Sequence, residues 1–354
     1  MYTANTKLLD AKIAEAKYRK DQAYIAAEAG MDHALSHIDS TNGFFGTLDQ
    51  SADDKFSVNV AVTLAPDGTE YVLPDNPNIK FRTVTSTGYS ADYTNTSDWH
   101  GEQIIEQKIY RRPVAGGPAS AITVSGTLTV GGNFKVGANP NGGGIGVPVS
   151  IWSKKEADIQ GSGSTCGLEE FDDPAAQGCD NGSYSDKDNI GSDIVLSDPD
   201  FPDDLLLHTF GFPRDDYLDL KDNAKYQVAD CSGLDVNSTG FYWVTGNCDF
   251  VSTVGTPDTP VIVVVENGSI KLNANYDVHG IVYSLYVDTT KPVPDIQMNG
   301  TAAIKGALIV DSDIELSSGG LKVRYSPEIL EQIIGGENPE FSSLHVVLGS
   351  WKDF

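Results

Sequence analysis

The chain has 354 residues, 40% hydrophobic, 21% charged and 9% aromatic, which is too apolar for a disordered chain and enough for one large or two modest folded domains. Lysine and arginine number 24 against 50 aspartates and glutamates, giving a formal net charge of −26. That sign repels phosphate backbones and anionic lipid surfaces, so it counts against nucleic-acid and peripheral-membrane roles, and no stretch approaches the roughly 20 apolar residues that span a bilayer.

The first segment, Thr3 to about Ile38, contains no proline and one glycine, Gly30, among Ala, Lys, Glu, Leu and Ile, and predicts a long helix. In its second half Tyr24, Ala27, Met31, Ala34, Leu35 and Ile38 recur at three- and four-residue steps, so they share a face that packs on something. The first half carries a thinner stripe, Leu9, Ile13 and Ala16, among many charges. It is expected to stand in solvent or to wait for a partner.

After a turn-rich break at Asp39 to Gly46, three runs alternate apolar and polar residues: Phe56 to Leu64, Ile79 to Tyr89 and Gln103 to Arg112. Period two with Gly, Asp and Pro between the runs predicts an antiparallel meander with one buried face, for which the helix is the natural cover. Arg111 to Pro118 reads as a linker, dividing a helix-plus-sheet domain at 1–113 from a second domain at 114–354.

Beyond the linker one unit recurs: apolar, polar, apolar, then a small or turn-forming pair. It is seen at Ile122 to Gly126, Ile270 to Ala274, Ile296 to Gly300 and Ile314 to Ser318. The two middle copies continue in register, since Val278-His-Gly280 matches Ile304-Lys-Gly306 at the same offset of 26 residues. A shared offset of that length suits one coil of a β-solenoid, although two hairpins with coincident spacing would give the same pattern. The stretch from about 156 to 230, rich in Asp, Gly, Ser and Pro, is expected to be an acidic insertion that leaves the wall. Ser326-Pro327 opens a short helix at 326–334, expected to cover an open end of the coil. The fold class is therefore α+β.

Four cysteines lie in irregular polar sequence with no CxxC and no histidine at ligand spacing. They read as two local disulfides, Cys166 to Cys179 and Cys231 to Cys248, and so as a sign of an oxidising compartment; four buried thiols in a cytosolic chain is the alternative. Asp186, Asp188, Asn189 and Asp193 alternate oxygen-bearing side chains around Gly191, as calcium requires, but without the closing bidentate Glu of an EF-hand, so a turn-forming acidic loop with no bound ion is the preferred reading. No other cofactor is implied.

Nothing specific supports catalysis. Asp172/Asp173, Asp203/Asp204 and Asp215/Asp216 fall in loop-like sequence, where adjacent carboxylates mainly solvate a surface. His33 and His37 stand four apart on the helix without the glutamate of a zinc-protease motif. There is no nucleophile elbow, phosphate loop or dinucleotide fingerprint.

The segment Gln22-Ala-Tyr-Ile-Ala-Ala-Glu-Ala-Gly-Met-Asp-His-Ala-Leu35 resembles the "QAxxAAEAGxxxAL" stretch of PilX-type minor pilins of type IV pili. Thr83 to Tyr89 followed by Glu106 to Pro113 is similar to the sheet of such proteins. Val278 to Tyr283 and Ile304 to Val310 resemble the coiled part of their larger members, and Gly349 to Phe354 is like their closing tail. The likeness covers residues 1 to about 113 well and the repeats loosely. It departs at the start, where those pilins carry a peptidase site and an apolar membrane helix, so the chain is expected to be a soluble ectodomain of a longer protein.

The resemblance implies a non-enzymatic minor pilin acting in pilus initiation or at the tip. It would reside on the periplasmic side of the inner membrane before assembly and on the extracellular pilus afterwards. Its partners would be minor and major pilins, met through Leu8, Leu9, Ile13 and Ala16, while Tyr24, Ala27, Met31 and Leu35 pack the same helix on the protein's own sheet. A tip adhesin, surface glycans, or DNA during natural transformation would be further partners, DNA through a local basic patch at Lys108, Arg111 and Arg112. A β-helix carbohydrate-active enzyme is the remaining class; it requires carboxylates converging on one wall of the coil.

Overall fold

The computed structural model describes residues 2–38, 46–47, 55–65, 68, 70–73, 76–91, 101–174, 179, 183–273, 275–316, 320–335 and 338–354. The chain divides into two compact units, one of residues 1–112 with 342–354 and one of residues 113–341. The break predicted at Asp39 to Gly46 falls almost wholly outside the described residues, as do 175–178 and 180–182 on either side of Cys179.

In the first unit a single helix, Tyr2–His37, crosses an antiparallel sheet in which Phe56–Val62, Asn76–Tyr89 and Glu102–Pro113 are successive neighbours. Ala23, Ala27, Met31, Ala34 and Ile38 on one helix face are buried against Val58, Val60, Val84, Ile105 and Ile109. The small residues of the helix let its backbone come close. A Cβ on Gly30 would sit 2.3 Å from Ser86 Oγ, and one on Gly101 would sit 2.6 Å from the Arg19 carbonyl. From Thr6 to Tyr18 every helical residue is exposed. No helix among the described residues is long and apolar enough to cross a membrane.

The last strands correct the sequence-based boundary. Ser342–Val346 and Lys352–Asp353 both pair with Glu102–Pro113, so the chain's final segment completes the first unit's sheet instead of ending the second domain. The physical reason is the bare edge that Glu102–Pro113 would otherwise present.

The second unit is built on parallel ladders. Gly240–Val244, Val261–Glu266, Asp277–Leu285 and Ala303–Val310 lie side by side in that order. The offset of 26 residues read from sequence is the spacing between direct neighbours: Ile270 faces Ile296, Val278 faces Ile304 and Gly280 faces Gly306. Parallel pairing rules out two hairpins. Gly280 and Gly306 hold φ of 146° and 144°, and a Cβ on Gly306 would lie 2.0 Å from the Gly280 carbonyl oxygen, so only glycine fits this column.

Past Ala303–Val310 the same ladder continues with strands from the start of the unit, because Leu308 faces Ile122 in parallel while Ile304 faces Val323. Ile151–Ser153 and then Ile194–Leu196 follow on one side, Lys135–Gly137 and Ser164–Cys166 on the other. A further ladder joins Ile314–Leu316, Leu128–Val130 and Ala157–Ile159. The chain thus enters this stack in its middle, and its last turns rest on its first.

Two expectations change accordingly. The acidic stretch 156–230 is not one insertion: Ala157–Ile159, Ser164–Cys166 and Ile194–Leu196 are strands of the stack, and the departure from it is concentrated after Leu196. Short strands with buried polar residues such as Ser164 and Thr165 lack the apolar alternation that marks a strand. The helix Pro327–Ile334 forms with Pro at its start, but it packs on Asp277–Leu285 and Ala303–Val310 in the interior of the ladder order, not over an end. Ile329, Leu330 and Ile333 are its buried face. Ser326 does not cap it with its side chain; its hydroxyl instead accepts from Arg324 Nη1 at 2.6 Å.

Candidate functional site

The residues singled out on the helix separate into two groups. Ala27 and Met31 are buried, and Tyr24 and Leu35 partly buried, in the helix–sheet core, so these four serve the unit's own packing. Leu8, Leu9 and Ile13 are each about 59% exposed, Ala16 is exposed, and Tyr18 is 63% exposed. Leu9, Ile13 and Ala16 follow three- and four-residue steps and form an apolar seam, flanked by Lys12, Glu15 and Lys17. Glu15 pairs with Arg19 at 2.8 Å, one turn further along.

The sheet face away from the helix carries a feature that the sequence did not point to. Tyr71, Phe81, Tyr110 and His345 form a chain of ring contacts with centroids 5.1, 5.4 and 5.2 Å apart. Three of these rings, with Ile79, Arg112 and Val346 to Leu348, line an open groove of about 860 Å³. Strand alternation explains the placement, since Phe81 faces Tyr110 across the ladder, but the fourth ring comes from the chain's far end. The basic patch expected at Lys108, Arg111 and Arg112 is split by the same alternation. Arg111 is buried and bonds Ser342 Oγ at 3.3 Å, whereas Lys108 and Arg112 are exposed.

The four cysteines form Cys166–Cys179 and Cys231–Cys248, with Cα atoms 5.1 and 4.7 Å apart. All four are buried. The acidic loop is organised by its own hydrogen bonds. Asp186 Oδ1 accepts the amides of Asp188 and Asn189, both at 2.8 Å, while the buried Asp193 turns inward to accept Thr165 Oγ1 at 2.5 Å and Ser185 Oγ at 2.6 Å. Those oxygens therefore point to different partners, and among the described residues no group of three or more His, Cys, Asp or Glu is placed to hold a metal.

The adjacent carboxylates are dispersed in the same way. Asp172 takes both Nε and Nη2 of Arg324 at 2.7 Å, Asp203 pairs with Lys154 at 3.0 Å, and Asp204 caps the helix Leu205–Phe210. Asp215 and Asp216 lie in the single helical turn Arg214–Asp216. On the first helix His33 and His37 stack at 4.3 Å, and His37 Nδ1 lies 3.0 Å from the His33 carbonyl.

No family model matches the chain, and no curated protein does. Among solved structures, the crystal structure of the competence-associated pilin ComZ from Thermus thermophilus aligns over 94% of this chain and 97% of its own, at 9% identity and a TM-score of 0.25. A likeness at that score carries no weight for function.

Proposed function

We propose that this protein is a non-catalytic minor pilin of the PilX type. Its stacked parallel ladders form a β-solenoid head, and it works in the initiation complex or at the tip of a type IV pilus. The observation that carries the reading is the division of labour along one helix. The segment that resembles the minor-pilin signature is the part whose small residues dock on the sheet, and the part before it leaves Leu8, Leu9 and Ile13 in solvent with no core to join. An apolar seam outside a folded core is a contact surface. Its partners in this reading are the helices of other minor and major pilins, and a membrane anchor would precede it. Of the adjacent carboxylates, Asp172 pairs with Arg324, Asp203 with Lys154 and Asp204 caps a helix, which supports a structural role for these three.

The ringed groove at Tyr110, Arg112 and His345 favours a second, compatible reading, that the protein also binds a ligand at the cell surface. Deleting the gene in its own organism tests the main reading. Loss of surface pili, restored by the wild-type gene and not by one with Leu9 and Ile13 changed to Glu, is expected; normal pili in the deletion strain would overturn it.

A further inference from the structure

The groove on the sheet face away from the helix lies wholly within the first unit and follows from strand alternation. Along Glu102–Pro113, period two puts Glu102, Glu106, Lys108, Tyr110 and Arg112 on that face, while Ile105 and Ile109 pack towards the helix. Phe81 faces Tyr110 across the ladder, and Ile79 and Phe81, both buried, make an apolar floor. Tyr110 and His345 are half-buried rings of the lining, 5.2 Å apart and within 20° of parallel. His345 is held in place by Ser343, whose hydroxyl lies 2.8 Å from its Nε2. Arg112 supplies the charged part of the lining.

Charge is sorted along the same strand. Lys108 and Arg112 are exposed at the groove end, and neither side chain has an ion-pair or hydrogen-bond partner among the described residues. Glu106 and Glu102 follow on the same face, away from the groove. In a chain of net charge −26, two unpaired cations beside a set of rings mark a place for an anion. The groove is open, so an occupant keeps one side in water, which suits a hydroxylated ligand and penalises a wholly apolar one. A ligand with a phosphate on every unit would run on to Glu106 and Glu102 and meet the repulsion of the whole chain. A single carboxylate avoids both and matches a guanidinium, which holds such a group through two parallel N–H bonds. The C–H face of a sugar ring, slightly positive, complements the negative face of an aromatic ring.

We propose that this groove binds a short oligosaccharide through one carboxylate-bearing sugar, the carboxylate on Arg112 and the sugar ring against Tyr110 and His345. The proposal rests on the second reading above, that the groove is a ligand site, and narrows it to one chemistry. Arg112 sets the preference for an acidic sugar over a neutral one of the same shape. Lys108 adds attraction from the same face and makes the binding weaken as salt is raised. No bond is made or broken, so the site is one of reversible recognition and fits a protein that is not a catalyst.

Titration of the purified whole chain, read by the imidazole proton resonances of His345, tests the site. Those resonances are identified by their loss in His345→Gln. Sialyllactose is set against lactose, and digalacturonate against its neutral methyl ester. The acidic member of at least one pair is expected to shift the His345 resonances and to bind about tenfold or more tightly than its neutral partner. Arg112→Gln, a change at an exposed position, should remove that preference. The proposal is overturned if neither acidic sugar shifts the resonances, if the members of each pair bind alike, or if the preference survives Arg112→Gln. Oligothymidylate and the apolar dye anilinonaphthalene sulfonate separate this failure from that of the ligand reading itself. A shift from either of them where the sugars give none leaves the groove a ligand site and refutes the sugar; silence from every probe refutes both.

Discussion

Gly88 lies so close under the helix that a Cβ on it would sit 2.2 Å from the Ala27 amide nitrogen and 2.1 Å from the Ala23 carbonyl oxygen. A glycine on the strand and alanines on the helix are two halves of one contact, in which backbone meets backbone with no side chain between. The alanine-rich signature of the helix is therefore a packing requirement and not only a matter of helix propensity. Gly88→Ala would drive a methyl group into main chain that has nowhere to go, with an expected loss of about 2–3 kcal/mol. Ile25→Ala, at a position 64% exposed on the same helix, should change stability by less than about 0.5 kcal/mol. Urea unfolding of both variants checks the contrast.

The glycine column of the second unit makes a harsher demand. Gly306→Ala combines a clash with the Gly280 carbonyl and a φ of 144°, which L side chains rarely adopt. A loss of more than about 4 kcal/mol is expected, enough to leave little folded protein. Circular dichroism of the purified variant, or its absence from the soluble fraction, reads this out.

The two disulfides close loops with sequence separations of 13 and 17 residues. Each should contribute about 3 kcal/mol by restricting the unfolded chain. Cys231→Ser with Cys248→Ser, and separately Cys166→Ser with Cys179→Ser, should lower the unfolding midpoint of the second unit and leave that of the first in place. Calorimetry resolves the two.

Tyr325 is buried with its hydroxyl 3.3 Å from the Pro118 carbonyl, and burial pushes its phenol up to about 12. Its unfolded value is about 10, so the unfolded chain gives up the proton first as pH rises. Stability should therefore fall between about pH 10 and 12, by up to roughly 3 kcal/mol from this group. Tyr325→Phe should flatten that decline, as followed by unfolding in urea at stepped alkaline pH.

Legibility followed from how far apart in sequence the interacting residues lie. The helix, its docking face and the meander were readable because their signals are local periodicities, and Gly280 with Gly306 were readable because parallel neighbours repeat residue types at a constant offset. Leu308 against Ile122 was not, since the two are 186 residues apart and the recurring unit at Ile122 has no shared offset with the later copies that would mark this pairing. The same holds for His345 on Tyr110 and for Arg214 on Asp311, contacts made only by the finished fold. The disulfide pairs were legible because each joins near neighbours. In the acidic loop, sequence spacing does not reveal that Asp193 gives both oxygens to Thr165 and Ser185.

Photo-crosslinking from Leu9 and Ile13 in cells that make this protein asks most directly whether the free half of the helix is a pilin contact. A crosslinker at either position should yield adducts with other pilins, while one at the buried Ala27 should yield none. Unadducted protein from Leu9 and Ile13 in piliated cells, with the protein present at its normal level, would contradict the assignment.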